Sequence, residues 1–353
     1  MNDDAVTTIA RALLYEGYLL YPYRPSVKNH QRWTFGAVVP ETYAAAARAG
    51  DAHTMQTQCI ARVQDAPAVD VKIRFLHLVN RIVGRFPTSL ARWPDHGEPQ
   101  YDVVESLDVD DQRISAWQEA EEREVALPRM PLRDLSQRPL RVAISFPATS
   151  RTEPIRNQQG AYTGLLLRQQ KALNGTVELS AHLSADATWT ITVKIANHSI
   201  IPDPHHKSRD NAMLFSFVST HTILTIAGGT FISMADPPPP QRDLAATSVN
   251  QGTWPVLTGV EGQQDTLLSS PIILSDYPQI APQSPGDLFD ASEIDEILSL
   301  RIMTLTDDEK RDVAATDPRG RALLQRTEAL ARDQLMSLHG VMHPTRPATK
   351  GTP

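Results

Sequence analysis

The stretch 174–197, NGTVELSAHLSADATWTITVKIAN, decides the fold class. Val177, Leu179, Ala181 and Leu183 alternate with Glu178, Ser180 and His182, and Trp189, Ile191, Val193 and Ile195 alternate with Thr190, Thr192 and Lys194. Strict period-two alternation sends the apolar side chains to one face, as a half-buried antiparallel strand requires. Asn174-Gly175 has the composition of a two-residue hairpin turn, and Gly228-Gly229 predicts a second one. The whole block from Thr163 to Met234 therefore reads as antiparallel sheet.

Outward from this block, 140–146 returns to the alternating pattern, and 55–64 and 69–79 are further strand candidates. Upstream, Ile9, Leu13 and Leu14 fall at helical spacing before Gly17, which predicts a helix over 4–16. Residues 112–125 have helical composition, with Glu119, Glu121, Glu122 and Glu124 on a solvated face. Downstream, Pro237 to Pro240 stop the sheet. The Pro-, Gly- and Ser-rich segment after them contains the apolar run LLSSPIILSDYP, whose prolines argue against a central strand. Asp290-Ala-Ser-Glu293 and Thr306-Asp-Asp-Glu309 are capping boxes, and Asp317-Pro318 combines an N-cap with proline at the first helical position. The expected architecture is α+β: a mainly antiparallel sheet or β-sandwich core with an N-terminal helix and a helical C-terminal segment. The expected divisions are a β-rich core over 1–236, an extended wrapping segment over 237–285, a helical segment over 286–340 and a disordered tail over 341–353.

The 353 residues, 41% hydrophobic, can bury a substantial core. No run approaches the length needed to span a bilayer, and the acidic start, MNDDAVTTIARALLYEG, lacks the basic region of a signal peptide. A single cysteine, Cys59, fits a reducing compartment, so the expected location is cytoplasmic with no membrane insertion. Charge is segregated. Nine acids against two arginines give 102–124 a net charge of −7, while eight bases against two acids give 129–171 a net of +6. Blocks of opposite sign can pair with each other or steer a partner, but the leading reading is that they are solvated faces of one domain. A pI of 5.9, with no aromatics interleaved in the basic stretch, argues against nucleic acid.

Candidate chemistry is sparse. His198, Asp203, His205, His206 and Asp210, with His221 in the following strand, are residue types that ligate zinc or iron. Asp203, His205 and His206 form the candidate metal set, although their spacing matches neither HxxxH nor HExxH. There is no G-x-S-x-G elbow, no P-loop and no G-x-G-x-x-G, and Cys59 in MQTQCIARV reads as a buried small hydrophobe. The chain therefore leans away from being an enzyme, with no cofactor beyond the candidate metal. The segment Tyr15–Trp33 concentrates Tyr21, Tyr23, Arg24 and Trp33 around Pro22 and Pro25. Tyrosine, tryptophan and arginine dominate interface hot spots, so these four are the candidate partner-binding residues.

Three stretches, ARALLYEGYLLYPYRPSVKN (10–29), NQGTWPVLTGVEGQQDTLLSSPIILSDYPQIAPQSPGDLFDASEIDEILSLRIMTLTDDEK (250–310) and EALARDQLMSLHG (328–340), resemble an uncharacterised accessory family encoded in gene clusters of high-affinity, oxygen-tolerant uptake [NiFe]-hydrogenases. The resemblance implies a process: hydrogenase maturation, assembly or regulation through binding of a hydrogenase subunit or maturation protein. It assigns no catalytic residues. Two other readings stand beside it. One is a structural subunit of a hydrogenase-associated complex in which 236–285 wraps a neighbour. The other is a metal-dependent enzyme or metal carrier using the His205/His206 loop.

Overall fold

The computed structural model describes residues 9–11, 13–15, 36–46, 50–95, 97, 99–184 and 188–279, with five isolated positions from 310 to 328. One strand organises them. β1 runs from Thr54 to Leu90, 37 residues. The candidates 55–64 and 69–79 are thus two parts of one element. Asp65-Ala66-Pro67, which has turn composition, is a bulge inside it. Ala66 takes φ 47°, and the register opposite β12 (Val218–Phe231) slips between Val63 and Ala68. Proline has no N–H to give the ladder, so a bulge is where it can be tolerated.

Register assigns the remaining strands to the two edges of β1. Residues 61–62 pair with both β11 (Thr188–Asn197) and β12, and 72–76 overlap pairings with β12 and β5 (Trp117–Ala126). Residues 80–81 pair with β5 and β9 (Tyr162–Gln170), and 83–85 with β2 (Asp102–Val104) and β9. One edge therefore carries β11, β6 (Met130–Pro131), β5 and β2 in succession, and the other carries β12 and then β9. The 12-stranded sheet continues through β10 (Leu173–Leu183) to β7 (Leu140–Phe146) on one side, and through β14 (Thr266–Ser270) to β13 (Trp254–Leu257) on the other. β8 (Thr149–Arg156) pairs with β9, and β3 (Ser106–Val109) with β4 (Gln112–Ser115) forms a separate ribbon. Every pairing is antiparallel, so the α+β, mainly antiparallel class holds.

The sheet curls around one apolar core. Cys59, Val71, Ile73 and Phe75 of β1 meet Val177, Leu179, Ile191, Val193, Leu224 and Leu267 there. The helix Leu132–Gln137 adds Leu132 and Leu135, three apart and so on one helical face. Ile9 and Leu13, helical as their spacing predicts, pack with Ile223, Val256 and Leu268. The described positions near the C-terminus, Lys310, Arg321, Leu324, Gln325 and Glu328, are helical as expected; most of 286–340 and the tail lie outside the described residues.

Four local readings change, one of them 112–125, which forms β4 and β5 instead of a helix. Asn174-Gly175 is no hairpin turn: neither residue has positive φ, and Gly175 sits inside β10, paired with Ile144 and Asn197. Gly228, at φ 69°, is the counterpart of the β1 bulge inside β12, not a strand end. The apolar run after 265 does not lie outside the sheet either. β14 is fully buried between β12 and β13, and Pro271 falls one residue past it.

What Gly175 supplies is room. A Cβ there would lie 2.4 Å from the Ala196 carbonyl oxygen and 2.6 Å from the Phe217 ring. Gly175→Ala is expected to destabilise the fold by about 2 kcal/mol, as overpacking of a closed core does. Urea denaturation measures this, and an unchanged midpoint would show that the strands can separate to admit a methyl.

Candidate functional site

β5 carries the acidic run WQEAEEREVA as a strand, not the helix that its glutamates and alanines favour. Alternation then divides the acids between the two faces of the sheet. On one face, Glu119 accepts from Arg81 Nη1 at 3.2 Å and from Arg168 Nε at 2.7 Å, and Arg168 Nη1 donates to Glu153 at 2.6 Å. Beside this chain, Glu121 accepts from Arg123 Nη2 at 2.8 Å and from Gln170 Nε2 at 3.1 Å, while the Thr149 hydroxyl donates to Gln170 Oε1 at 3.0 Å. Arg123 also lies over the Phe146 ring, 5.1 Å from its centre. On the other face, Glu122 accepts from Arg74 at 3.0 Å and from Arg11 at 3.2 Å. Four strands, β1, β5, β8 and β9, meet in this charged layer, and the acidic and basic blocks of the sequence pair in it through Glu119–Arg168. The hydrogen bond to Glu119 is the main cause that raises the Arg168 pKa.

The groups with the largest pKa displacement lie deeper. His221 is fully buried. Its Nδ1 is 2.7 Å from the Ser219 carbonyl, which fixes the proton on Nδ1, so Nε2 accepts from the Ser270 hydroxyl at 3.2 Å. Burial pushes its pKa down to about 4. His77 bonds the Lys171 carbonyl through Nε2 at 2.9 Å; burial lowers it to about 4 as well, and its Nδ1 has no partner among the described residues. Cys59 is sealed in the core, and burial pushes the thiol up to about 12. Ser270 and His221 have the spacing of a nucleophile and its base, yet both are 0% exposed and the Ser270 oxygen also accepts from Ile272 N at 3.1 Å. Their role here is to satisfy buried polar groups.

Asp203, His205 and His206 are exposed around the short helical turn Pro204–His206. No group of three or more His, Cys, Asp or Glu placed to hold a metal occurs among the described residues, so the candidate set does not converge. Tyr21, Tyr23, Arg24 and Trp33 lie outside the described residues. The charged layer was not foreseen as a site; its only sequence signal was the opposite charge of 102–124 and 129–171. No helix among the described residues is long and apolar enough to cross a membrane. Comparison with family models, with curated proteins and with solved structures finds no match.

Two outcomes follow from this geometry. Glu119→Ala removes the carboxylate that bonds Arg81, whose side chain is 9% exposed, and is expected to cost about 2 kcal/mol in chemical denaturation. Asp95→Ala, which removes the exposed Arg92–Asp95 pair, should cost less than about 0.5 kcal/mol. Equal effects would mean that the layer is ordinary surface. For His221, the unfolded chain takes up a proton below pH 6.5 while the folded one does so only near pH 4. Its contribution is therefore intact above pH 6.5 and is lost as pH falls toward 4, at most about 3 kcal/mol, with His77 acting in the same direction. His221→Gln should flatten part of the slope of stability against pH in that window; an unchanged slope would remove His221 as its source.

Proposed function

We propose that this protein is a non-catalytic accessory factor for [NiFe]-hydrogenase maturation or assembly, acting by protein–protein binding. The process comes from the resemblance of 10–29, 250–310 and 328–340 to the hydrogenase-cluster accessory family. The observation that carries the non-catalytic reading is where the reactive groups lie. Cys59, His77 and His221 are enclosed in the core, and Arg81, Glu119, Glu121, Arg123, Glu153 and Arg168 of β1, β5, β8 and β9 are engaged in ion pairs. Catalysis needs a poised acid, base or nucleophile within reach of a substrate. These groups instead hold a broad sheet rigid, and a rigid sheet serves as a platform for recognition. The candidate partner residues remain Tyr21, Tyr23, Arg24 and Trp33, where proline-stiffened backbone lowers the ordering cost of binding. The working location is the cytoplasm, where hydrogenase subunits are processed.

Affinity purification of the tagged full-length chain from its native cells is expected to recover a hydrogenase subunit or maturation protein. Tyr23→Ala with Arg24→Ala should weaken that capture roughly thirtyfold while leaving melting unchanged, since an interface anchor contributes about 2 kcal/mol. Absence of hydrogenase proteins from the wild-type eluate would overturn the proposal. Recovery at fixed stoichiometry with the mature enzyme would replace it with the structural-subunit reading.

A further inference from the structure

On the solvent face of β10, β11 and the start of β1 lies a pocket of about 490 Å³, walled by the helix Arg242–Thr247. This volume falls within the range of small-ligand sites. Its floor is a grid of polar groups. Ser180 faces Thr192 across the β10–β11 pair, His182 faces Thr190, and Gln58 of β1 lies opposite Thr192 on the other side. Neighbouring strands are about 4.8 Å apart, and same-face residues along a strand about 6.8 Å.

The wall is tied to the floor by specific bonds. Gln58 Oε1 accepts from Val249 N at 2.8 Å, Asn250 Oδ1 accepts from Gln58 N at 2.8 Å, and Asn250 Nδ2 donates to the Gln58 carbonyl at 3.1 Å. Gln58 Nε2 donates to Thr192 Oγ1 at 3.0 Å, which leaves the Thr192 hydroxyl proton to donate elsewhere. Thr247 and Ser248 hydroxyls both donate to the Leu244 carbonyl, at 3.0 and 3.1 Å, which leaves their oxygens as acceptors. The pocket thus offers donors and acceptors together. Leu244 contributes the apolar part of the lining, and among the described residues no Asp, Glu, Lys or Arg contributes to it.

We infer that this pocket binds a small neutral polyhydroxylated molecule of the mono- or disaccharide class. A sugar hydroxyl both donates and accepts, so it can satisfy Ser180, Thr190 and Thr192 on one side and Thr247 and Ser248 on the other. Leu244 can cover the C–H face of a sugar ring. An anion or cation entering the pocket would lose hydration without meeting an Asp, Glu, Lys or Arg among its described lining residues. With no aromatic ring among the described lining residues to stack on the sugar, the affinity is modest, with Kd on the order of 1 mM.

Ligand-observed saturation-transfer NMR and calorimetry on the full chain, with glucose and maltose as probes and glucose 6-phosphate and sulfate as charged controls, test this. The expected result is saturable binding of a neutral sugar, weakened at least about tenfold by Thr190→Val with Ser180→Ala, each of which deletes a hydroxyl at nearly constant shape. Thermal melts establish that the variants fold; if the pair does not, Ser180→Ala alone carries the comparison. No saturable binding of either sugar, equal binding by the hydroxyl-deleted protein, or tighter binding of the charged controls would each overturn the assignment. Capture of hydrogenase proteins is tested by other variants, Tyr23→Ala with Arg24→Ala, so the two results are scored separately.

Discussion

Hydrogen bonding along both edges of β1 is the constraint on which the molecule depends. A straight strand of 37 residues would extend roughly 120 Å, whereas a compact chain of this length has a radius of gyration of roughly 20 Å. β1 must therefore bend, and it must do so without leaving long runs of buried N–H and C=O groups unsatisfied. Its register slips at three places: between Val63 and Ala68, between Arg74 and Leu76, where the extra residue lies in β12, and between Arg85 and Leu90. Each slip changes which strand or which face is served. Ser219, at φ 52°, and Gly228, at φ 69°, are the points in β12 that accommodate two of them.

The charged layer follows from the same geometry. On the face of β1 turned away from the apolar core at Ile73 and Phe75, Arg74 meets the acids of β5. Arg74 and Arg81 are themselves buried, so each requires a carboxylate, and β5 supplies Glu122 and Glu119 across the ladder. Removing one partner of such a pair costs more than the pair itself contributes, because the remaining charge keeps its desolvation penalty. The layer thus fixes the register of β5 against β1: a shift of one residue would turn every glutamate to the wrong face.

Legibility followed the balance between local pattern and tertiary context. β7, β10 and β11 alternate cleanly because one face is buried and the other solvated, and sequence reading placed all three. β5 was read as a helix because Trp117–Ala126 is dominated by Glu, Ala and Arg, good helix formers that become a strand only when the edge of β1 and three arginines are present. The unity of β1 was hidden by Asp65-Ala66-Pro67, which punctuates a sequence as strongly when it makes a bulge as when it makes a turn. Asn174-Gly175 misled for a related reason. Glycine there answers to the Phe217 ring and not to a positive φ, and a single sequence does not distinguish these two demands. The hydroxyl pocket left no linear signal, since Gln58 and Thr247 are brought together only by folding. The aromatic-basic segment around Tyr23 was legible as composition alone.

The early position of β1 in the chain has a consequence during synthesis. Its partners lie at 102–126, 162–170, 188–197 and 218–231, so the strand emerges long before most of its edges can be filled. At about 5–20 residues per second, some 140 residues of further translation leave it waiting for roughly 7–30 s. A nascent apolar strand of this length is a template for aggregation, and charges set within it are the usual safeguard. Lys72, Arg74 and Arg81 interrupt the run VDVKIRFLHLVNRIVG at 69–84. While the ribosome is still at work they keep neighbouring chains apart by repulsion. When β5 arrives, Glu122 and Glu119 neutralise the two arginines, and the signal that had prevented pairing becomes the one that selects the correct strand.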